Sequence, residues 1–278
     1  MPELPEVDTV ARELREGQAE RGPSVVGRTI RRVTVKWPRH IARPAPRELQ
    51  ARLRGQTIQN VTRRGKYVVF ELSRDALLIH LKMSGDLRMV KDSAPPDKHA
   101  HTIFHFSDGW QLRFSDTRKF GKVFLAARAE DVTGALGPEP LEPAFTAKRL
   151  AAMLAAKRRQ LKPLLLDQTF IAGLGNIYTD EALHLAKLHP LRPSDSVTAE
   201  EARDLWKGIR RALRTGLRHN GASIDWVYRG GGFQNYFRVY DRAGEPCFRC
   251  GAPIRRIVVG QRGTHFCPQC QPLKKRRR

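Results

Sequence analysis

The stretch Gly134-Ala135-Leu136-Gly137-Pro138-Glu139-Pro140-Leu141-Glu142-Pro143 separates two kinds of sequence. Its glycines and prolines interrupt any helical or alternating period, which reads as a linker. Before it the chain is mostly alternating and β-branched, with strands predicted at 29–35, 57–61, 67–72, 77–81, 87–90, 102–106, 111–114 and 122–125. Asp108-Gly109 falls between two of these and reads as a tight hairpin turn. One helix precedes the strands, with Val7, Val10, Ala11 and Leu14 at helical spacing behind Pro5. A helix followed by eight short strands predicts a β-sandwich or flattened barrel. After the stretch the period becomes helical, over 147–157, 160–167, 177–187 and 199–219. The last helix opens on a capping box, Thr198 with Glu201, and stops near Gly221. The fold class is therefore α+β. The expected division is a β-sandwich at 1–130, a linker at 131–146, a helical domain at 147–232, a cysteine hairpin at 233–271 and a basic tail at 272–278.

The 278 residues carry 51 Lys and Arg against 28 Asp and Glu, a formal charge of +23. A field of that sign favours a polyanion, either nucleic acid or an anionic membrane surface. The membrane option is the weaker one. No apolar run approaches the ~18 residues of a spanning helix, and no lipidation signal is visible. The acidic N-terminus has no apolar signal core. The expectation is an intracellular, cytoplasmic chain. The terminal block Lys274-Lys275-Arg276-Arg277-Arg278 reads as a disordered tail adding nonspecific DNA affinity, or as a merely solvated one.

All four cysteines fall near the C-terminus: Cys247, Cys250, Cys267 and Cys270, two Cys-x-x-Cys pairs separated by sixteen residues. Two-residue spacing lets both thiolates of a knuckle reach one tetrahedral ion, and a hairpin over 254–266 brings the second knuckle opposite the first. One structural zinc per chain is expected. Two disulfides or free structural cysteines are the alternative, disfavoured without an export signal.

Met1-Pro2-Glu3-Leu4-Pro5-Glu6 carries a second chemical signal. Proline is small enough for the initiator methionine to be removed, which leaves Pro2 as a secondary amine. An N-terminal amine titrates at about 8, so roughly a tenth is neutral and nucleophilic at pH 7. Such an amine attacks an aldehyde-like sugar carbon to form an iminium ion, the chemistry of a Schiff-base lysine without a depressed lysine pKa. Glu3 and Glu6 supply carboxylates beside it. The structural reading holds as well: Pro5 starts a helix and the acids favour its N-terminus.

The opening Met1-Pro2-Glu3-Leu4-Pro5-Glu6-Val7 resembles the N-terminus of the formamidopyrimidine-DNA glycosylases. The likeness continues in order through Arg64-Gly65-Lys66-Tyr67, His80-Leu81-Lys82-Met83-Ser84-Gly85, Asp116-Thr117-Arg118-Lys119-Phe120-Gly121, Gly173-Leu174-Gly175-Asn176-Ile177-Tyr178 and Arg262-Gly263-Thr264-His265-Phe266-Cys267. It implies a glycosylase with apurinic/apyrimidinic lyase activity on oxidised purines in damaged double-stranded DNA, acting as a monomer in a bacterial cell. In it Pro2 is the nucleophile, Glu3 the proton donor to the opening sugar, and Lys66 a phosphate contact that assists β-elimination. Glu6 positions the start of the first helix. Arg262 reaches the minor groove and assists δ-elimination. Met83 and Arg118 fill the hole left by the extruded base, and Phe120 wedges the opposite strand. His99, Lys157 and Asn176 contact DNA, Asn176 from a helix–two-turn–helix motif whose helix start favours an anion. Lys162 reads either as a solvated helix charge or as a second contact.

One segment departs from the family. Between Trp226 and Tyr240 the chain has Gly230-Gly231-Gly232 where the family often carries a longer loop over the extruded base, which puts base preference in doubt. Two rival functions are an endonuclease VIII-type enzyme for oxidised pyrimidines and a non-catalytic lesion-binding zinc protein. Leu4 and the Met83/Arg118/Phe120 set favour the purine branch over the first. Pro2, Glu3 and Lys66 disfavour the second, because a pure binder needs none of them.

Overall fold

The computed structural model describes residues 1–18, 21–223 and 230–273. The described chain forms two compact units, one of Met1–Ala135 with Ser223 and Gly230, the other of Leu136–Ala222 with 231–273. The change of unit falls inside the Gly/Pro-rich stretch.

In the first unit, helix α1 (Leu4–Glu16) buries Leu4, Val7, Val10, Ala11 and Leu14. Each large apolar side chain so buried contributes roughly 1.5–3 kcal/mol, so packing holds this helix. There follow β1 (Ile30–Val35), β2 (Ile41–Arg43), α2 (Pro46–Leu53), β3 (Ile58–Arg64), β4 (Tyr67–Leu72), β5 (Ala76–His80), β6 (Gly85–Lys91), β7 (Ala100–Phe106), β8 (Trp110–Asp116), β9 (Lys122–Ala126) and the one-turn α3 (Glu130–Thr133). One sheet has the order β1-β7-β8-β6 and the other β2-β9-β5-β4-β3. Among the described strands only β2 and β9 pair in parallel. Inward residues of both sheets and α1 share one core that includes Leu14, Ile30, Phe70, Ile79, Phe104 and Phe114.

All eight strands predicted from alternation are present. Two further elements escaped the pattern, β2 and α2. The first is three residues long, and the second buries only Leu49 and Leu53, too few anchors for a visible period. The one-turn α3 lies where a linker was expected.

The second unit contains α4 (Ala147–Ala155), α5 (Leu161–Leu166), α6 (Asn176–Leu185), α7 (Ala199–Arg218) and the hairpin β10 (Arg255–Val259) and β11 (Arg262–Phe266). The predicted capping box is formed: Glu201 N donates to Thr198 Oγ1 at 3.2 Å, and Thr198 N donates to Glu201 Oε2 at 3.0 Å. Helices α6 and α7 approach closely at Gly216, where a Cβ would stand 2.5 Å from the Tyr178 ring. Val259 pairs with Arg262, leaving the two-residue loop Gly260-Gln261. Both loop residues have positive φ, 55° and 61°, as a type I′ turn requires. The buried Glu181 carboxylate accepts the amides of Arg238, Val239 and Tyr240 and so fixes the segment leading into the hairpin.

Candidate active site

The N-terminal stretch to which the sequence assigns the chemistry sits at the start of a helix. Glu3 is the N-cap of α1, and Glu6 Oε2 accepts the Glu3 amide at 2.8 Å, one arm of a capping box. Both carboxylates are nearly sealed from solvent, Glu3 at 2% and Glu6 at 3% exposure. Arg15 Nη1 donates to Val61 O, and Arg63 Nε meets Asp8 Oδ1 at 3.4 Å. The exit of β3 therefore runs toward the N-terminal end of α1. The β3–β4 turn beyond it carries Lys66, itself 4% exposed. A lysine is thus brought to the same end of the unit as Pro2 and Glu3.

Met83 and Phe120 are exposed apolar side chains at 37% and 50%. Each follows a lysine in the left-handed region, Lys82 at φ 55° and Lys119 at φ 59°. Such backbone is costly for a non-glycine residue and persists only where its surroundings impose it. Asp116 is what imposes it. Its Oδ1 accepts the Ser84 hydroxyl, next to Met83, and the Arg118 amide at 3.1 Å. Its Oδ2 accepts the Gly121 amide at 2.6 Å. His40 Nε2 lies 3.6 Å from the same oxygen, and both residues are fully buried. Burial alone would raise the Asp116 pKa. The nearby His40 ring and the hydrogen bonds from Ser84, Gly121 and Arg118 outweigh it and hold the carboxyl below the usual range. The Arg118 guanidinium stands 5.0 Å over the Phe120 ring, so two of the three predicted void-filling residues touch. Half-buried His99 joins the same framework through its carbonyl, which accepts the Asp116 amide at 2.9 Å.

In the second unit, Gln168 staples the turn before α6. Its Oε1 accepts Gly173 N at 2.9 Å and its Nε2 donates to Leu174 O at 2.7 Å. Asn176 opens α6, and its Nδ2 donates to Gly263 O at 2.9 Å. The turn and the hairpin residue next to Arg262 are thus one piece. Arg262 is exposed at the hairpin tip. Lys157 is exposed too, but it lies past the end of α4 rather than on the helix. Lys162 corrects the sequence reading. It is fully buried, with Nζ donating to Asp180 Oδ1 at 2.6 Å and Asn176 O at 3.0 Å, so it is neither a solvated charge nor an exposed contact. The other oxygen of Asp180 accepts the His265 amide at 2.9 Å, tying α5, α6 and β11 together.

The four cysteine sulfurs lie within 4.8 Å of one another. Cys250 and Cys267 are 3.4 Å apart, Cys247 and Cys270 3.9 Å, and none is in a disulfide. A tetrahedral Zn–S site at about 2.3 Å has edges of about 3.8 Å, so the residues fit one zinc ion. Without a cation the sulfurs do not ionise alike: burial and the neighbouring sulfurs push Cys270 up to about 12, while at Cys247 the amides of Arg249 and Cys250 outweigh burial and bring the thiol down to about 7. Four thiolates complete the coordination, and the site is structural.

Asp116, His40, Ser84, Gln168 and Asp180 were not assigned roles from sequence. Asp116 had one readable sign: an aspartate accepting the amide two residues on is an Asx-turn, common where a loop must be fixed. The 227–229 part of the departing loop and the tail at 274–278 lie outside the described residues. Of that loop, Gly232 N donates to His219 O at 2.8 Å before a 3-10 turn, Phe233–Tyr236.

Three family models match in order: the formamidopyrimidine-DNA glycosylase N-terminal domain over 1–123, the H2TH domain of the same enzymes over 136–227, and the zinc finger found in FPG and IleRS over 244–273. The formamidopyrimidine-DNA glycosylase of Symbiobacterium thermophilum is 45% identical over 282 residues, covering 98% of this chain and 90% of its own. A crystal structure of Lactococcus lactis Fpg with DNA containing N7-benzyl-Fapy-dG superposes with TM-score 0.89 at 39% identity, covering 98% and 100% of the two chains. MutM in complex with DNA containing carbocyclic 8-oxo-G gives 0.88 at 39%, covering 97% and 99%. Fold and matches together define a DNA glycosylase of base-excision repair. The chain belongs to the formamidopyrimidine-DNA glycosylase family.

Proposed function

We propose that this enzyme removes oxidised purines, 8-oxoguanine and formamidopyrimidines, from duplex DNA and then cuts the strand at the resulting site. After loss of Met1, the Pro2 nitrogen attacks C1′, and the base departs with the bonding electrons and takes up the proton that the nitrogen loses. Glu3 gives a proton to the ring oxygen as the sugar opens, and the Pro2 lone pair forms the iminium. The iminium acidifies C2′–H. Loss of that proton expels the 3′ phosphate, and a second elimination expels the 5′ phosphate. Lys66 holds phosphate and moves a proton in the first elimination, and Arg262 assists the second. Met83, Arg118 and Phe120 occupy the vacated stack, while His99, Lys157 and Asn176 hold the backbone. Residues 1–130 carry the nucleophile, the proton donor and the void-filling side chains, and 147–232 and 233–271 grip the DNA and supply Arg262. The bacterial relatives support a cytoplasmic, DNA-associated monomer.

One observation carries this reading: a buried glutamate, Glu3, follows Pro2 at the rigid start of α1. A group that must deliver a proton in a desolvated site is placed so. The test is borohydride reduction on an 8-oxoguanine duplex. It should trap a covalent adduct at Pro2, and none when Met1 is retained or the terminus acetylated. Glu3→Gln should lower base removal by roughly 10³-fold, within the range general acid catalysis supplies, and spare cleavage of a ready-made abasic site. Full glycosylase activity from protein shown by mass spectrometry to retain Met1 would falsify the mechanism.

A further inference from the structure

The outer face of α7 has no role in the reaction above. Between Arg203 and Arg218 the helix carries six cations, Arg203, Lys207, Arg210, Arg211, Arg214 and Arg218, and one acid, Asp204. They recur at three- and four-residue spacing, opposite the buried face of Ala202, Leu205, Ile209, Ala212 and Leu213. Like charges so spaced repel and destabilise a helix, whereas an ordinary solvated face mixes signs. Among the described residues none of the six makes an ion pair within 4.0 Å.

Two concavities flank this ridge and share Arg211 and Arg218. The first, about 590 Å³, has Trp206 and Leu217 among its cationic walls. The Arg210 guanidinium lies 4.9 Å from the Trp206 ring, whose Nε1 donates to Phe145 O at 2.6 Å. The second, about 430 Å³, adds Arg238, Thr215, His219 and Tyr236. Tyr236 is 51% exposed, and one face of its ring stacks on His219 at 3.9 Å. The carboxylate lining this pocket, Glu181, is already bonded to three backbone amides. An arginine ridge beside a half-exposed aromatic ring is the combination that binds single-stranded nucleic acid, the cations tracking the backbone and the ring stacking a base.

We propose that the α7 ridge, with the Tyr236 pocket, is a second nucleic-acid site, for a single strand and independent of the lesion site. It is cationic where the strand is anionic, and it offers a stacking platform that an acidic peptide would not need. The probe is a labelled oligothymidylate, titrated against the full-length enzyme with the lesion site saturated by a short abasic-analogue duplex. Binding should persist in that complex. The triple variant R211Q/R214Q/R218Q should weaken it at least tenfold and lower its log–log salt slope by about 2, at ~0.7 per phosphate contact. Tyr236→Ala should weaken it with little change of slope. Single-turnover excision from a short lesion duplex should be unchanged in both. A control of equal charge loss, R31Q/R32Q/R54Q, should leave oligothymidylate binding intact. The proposal is overturned if the abasic duplex displaces the oligothymidylate, if the control weakens binding as much as the ridge variant, or if the ridge variant binds normally. Equal competition by polyglutamate with Tyr236→Ala harmless would assign the ridge to an acidic protein and overturn it as well.

Discussion

The two units hold their working residues in opposite ways. In the first, Glu3 and Lys66 are nearly sealed from solvent, and the loops bearing Met83 and Phe120 are clamped by one buried carboxylate. In the second, Lys157 and Arg262 stand in solvent, while the scaffold beneath them rests on four cysteines and the buried Lys162–Asp180 pair. The difference follows from the tasks proposed for them. Proton transfer and nucleophilic attack gain from desolvation, which sharpens every electrostatic interaction. Phosphate contacts gain from accessible charge, because their energy comes from released counterions. The first unit therefore depends on its internal hydrogen bonds, and the second on its metal.

Removing the metal should break the comparison most strongly. Structural zinc binding is worth on the order of 10 kcal/mol of folding free energy. The hairpin shares hydrogen bonds with α6 through Asp180 and Asn176, and Gln271 Nε2 donates to Leu188 O at 2.8 Å. Chelation should disorder the hairpin and abolish DNA binding, while hydrogen exchange in the β-sandwich of the first unit stays protected. Metal analysis of active protein should return one zinc per chain. Retained binding with the metal gone would end the contrast.

Asp116 tests the other side. Asparagine at 116 keeps the shape but loses the charge and one acceptor, so it cannot serve Ser84, Arg118, Gly121 and His40 together. The strained turns at Lys82 and Lys119 should relax. Single-turnover base excision should fall roughly 10- to 100-fold, about 1.4–2.7 kcal/mol. Cleavage of a preformed abasic site should change much less, since no base has to be extruded. A thermal melt separates this from general unfolding. Equal losses on both substrates would show that the carboxylate does not act through the void-filling loops.

The zinc site was legible because its chemistry is written at short range: each knuckle fixes two sulfurs within four residues. The strands and long helices were legible for a similar reason, as each repeats its own period. Only the local half of the Asp116 clamp, its bonds to the amides of Arg118 and Gly121, was legible; the other partners stand far from it along the chain, His40 before β2 and Ser84 after β5. Lys162 was misread for the same cause. On a short helix a lysine reads as solvated, and only the fold brings Asp180, eighteen positions on, to its side. Helix α2 was missed with only Leu49 and Leu53 to declare it.

The smallest expected effect concerns His80, at the end of β5 beneath the Met83 loop. Its Nδ1 accepts the Lys82 amide at 3.0 Å, so that nitrogen must be unprotonated. Burial, then the charges of Lys82 and Lys66, push His80 down to about 3. An unfolded histidine titrates at about 6.5. The unfolded chain therefore takes a proton that the folded chain resists. The stability this residue contributes is fully present above 6.5 and is lost progressively as pH falls toward the folded value. At pH 5 the unfolded group is about 1.5 units past its midpoint, a loss of about 2 kcal/mol. His80→Asn supplies an acceptor oxygen in place of Nδ1 and cannot titrate. Urea unfolding at pH 8 and pH 5 should show a drop smaller by about that amount in the variant. Other buried histidines, such as His184, act equally in both proteins and cancel in the difference. Exchange of the Lys82 amide supplies the local readout: in the wild type its protection relative to the intrinsic exchange rate should fall as the pH approaches the folded value, and in the variant it should not. An identical pH dependence of stability in the two proteins would mean that the histidine beneath the loop is not what the acid attacks.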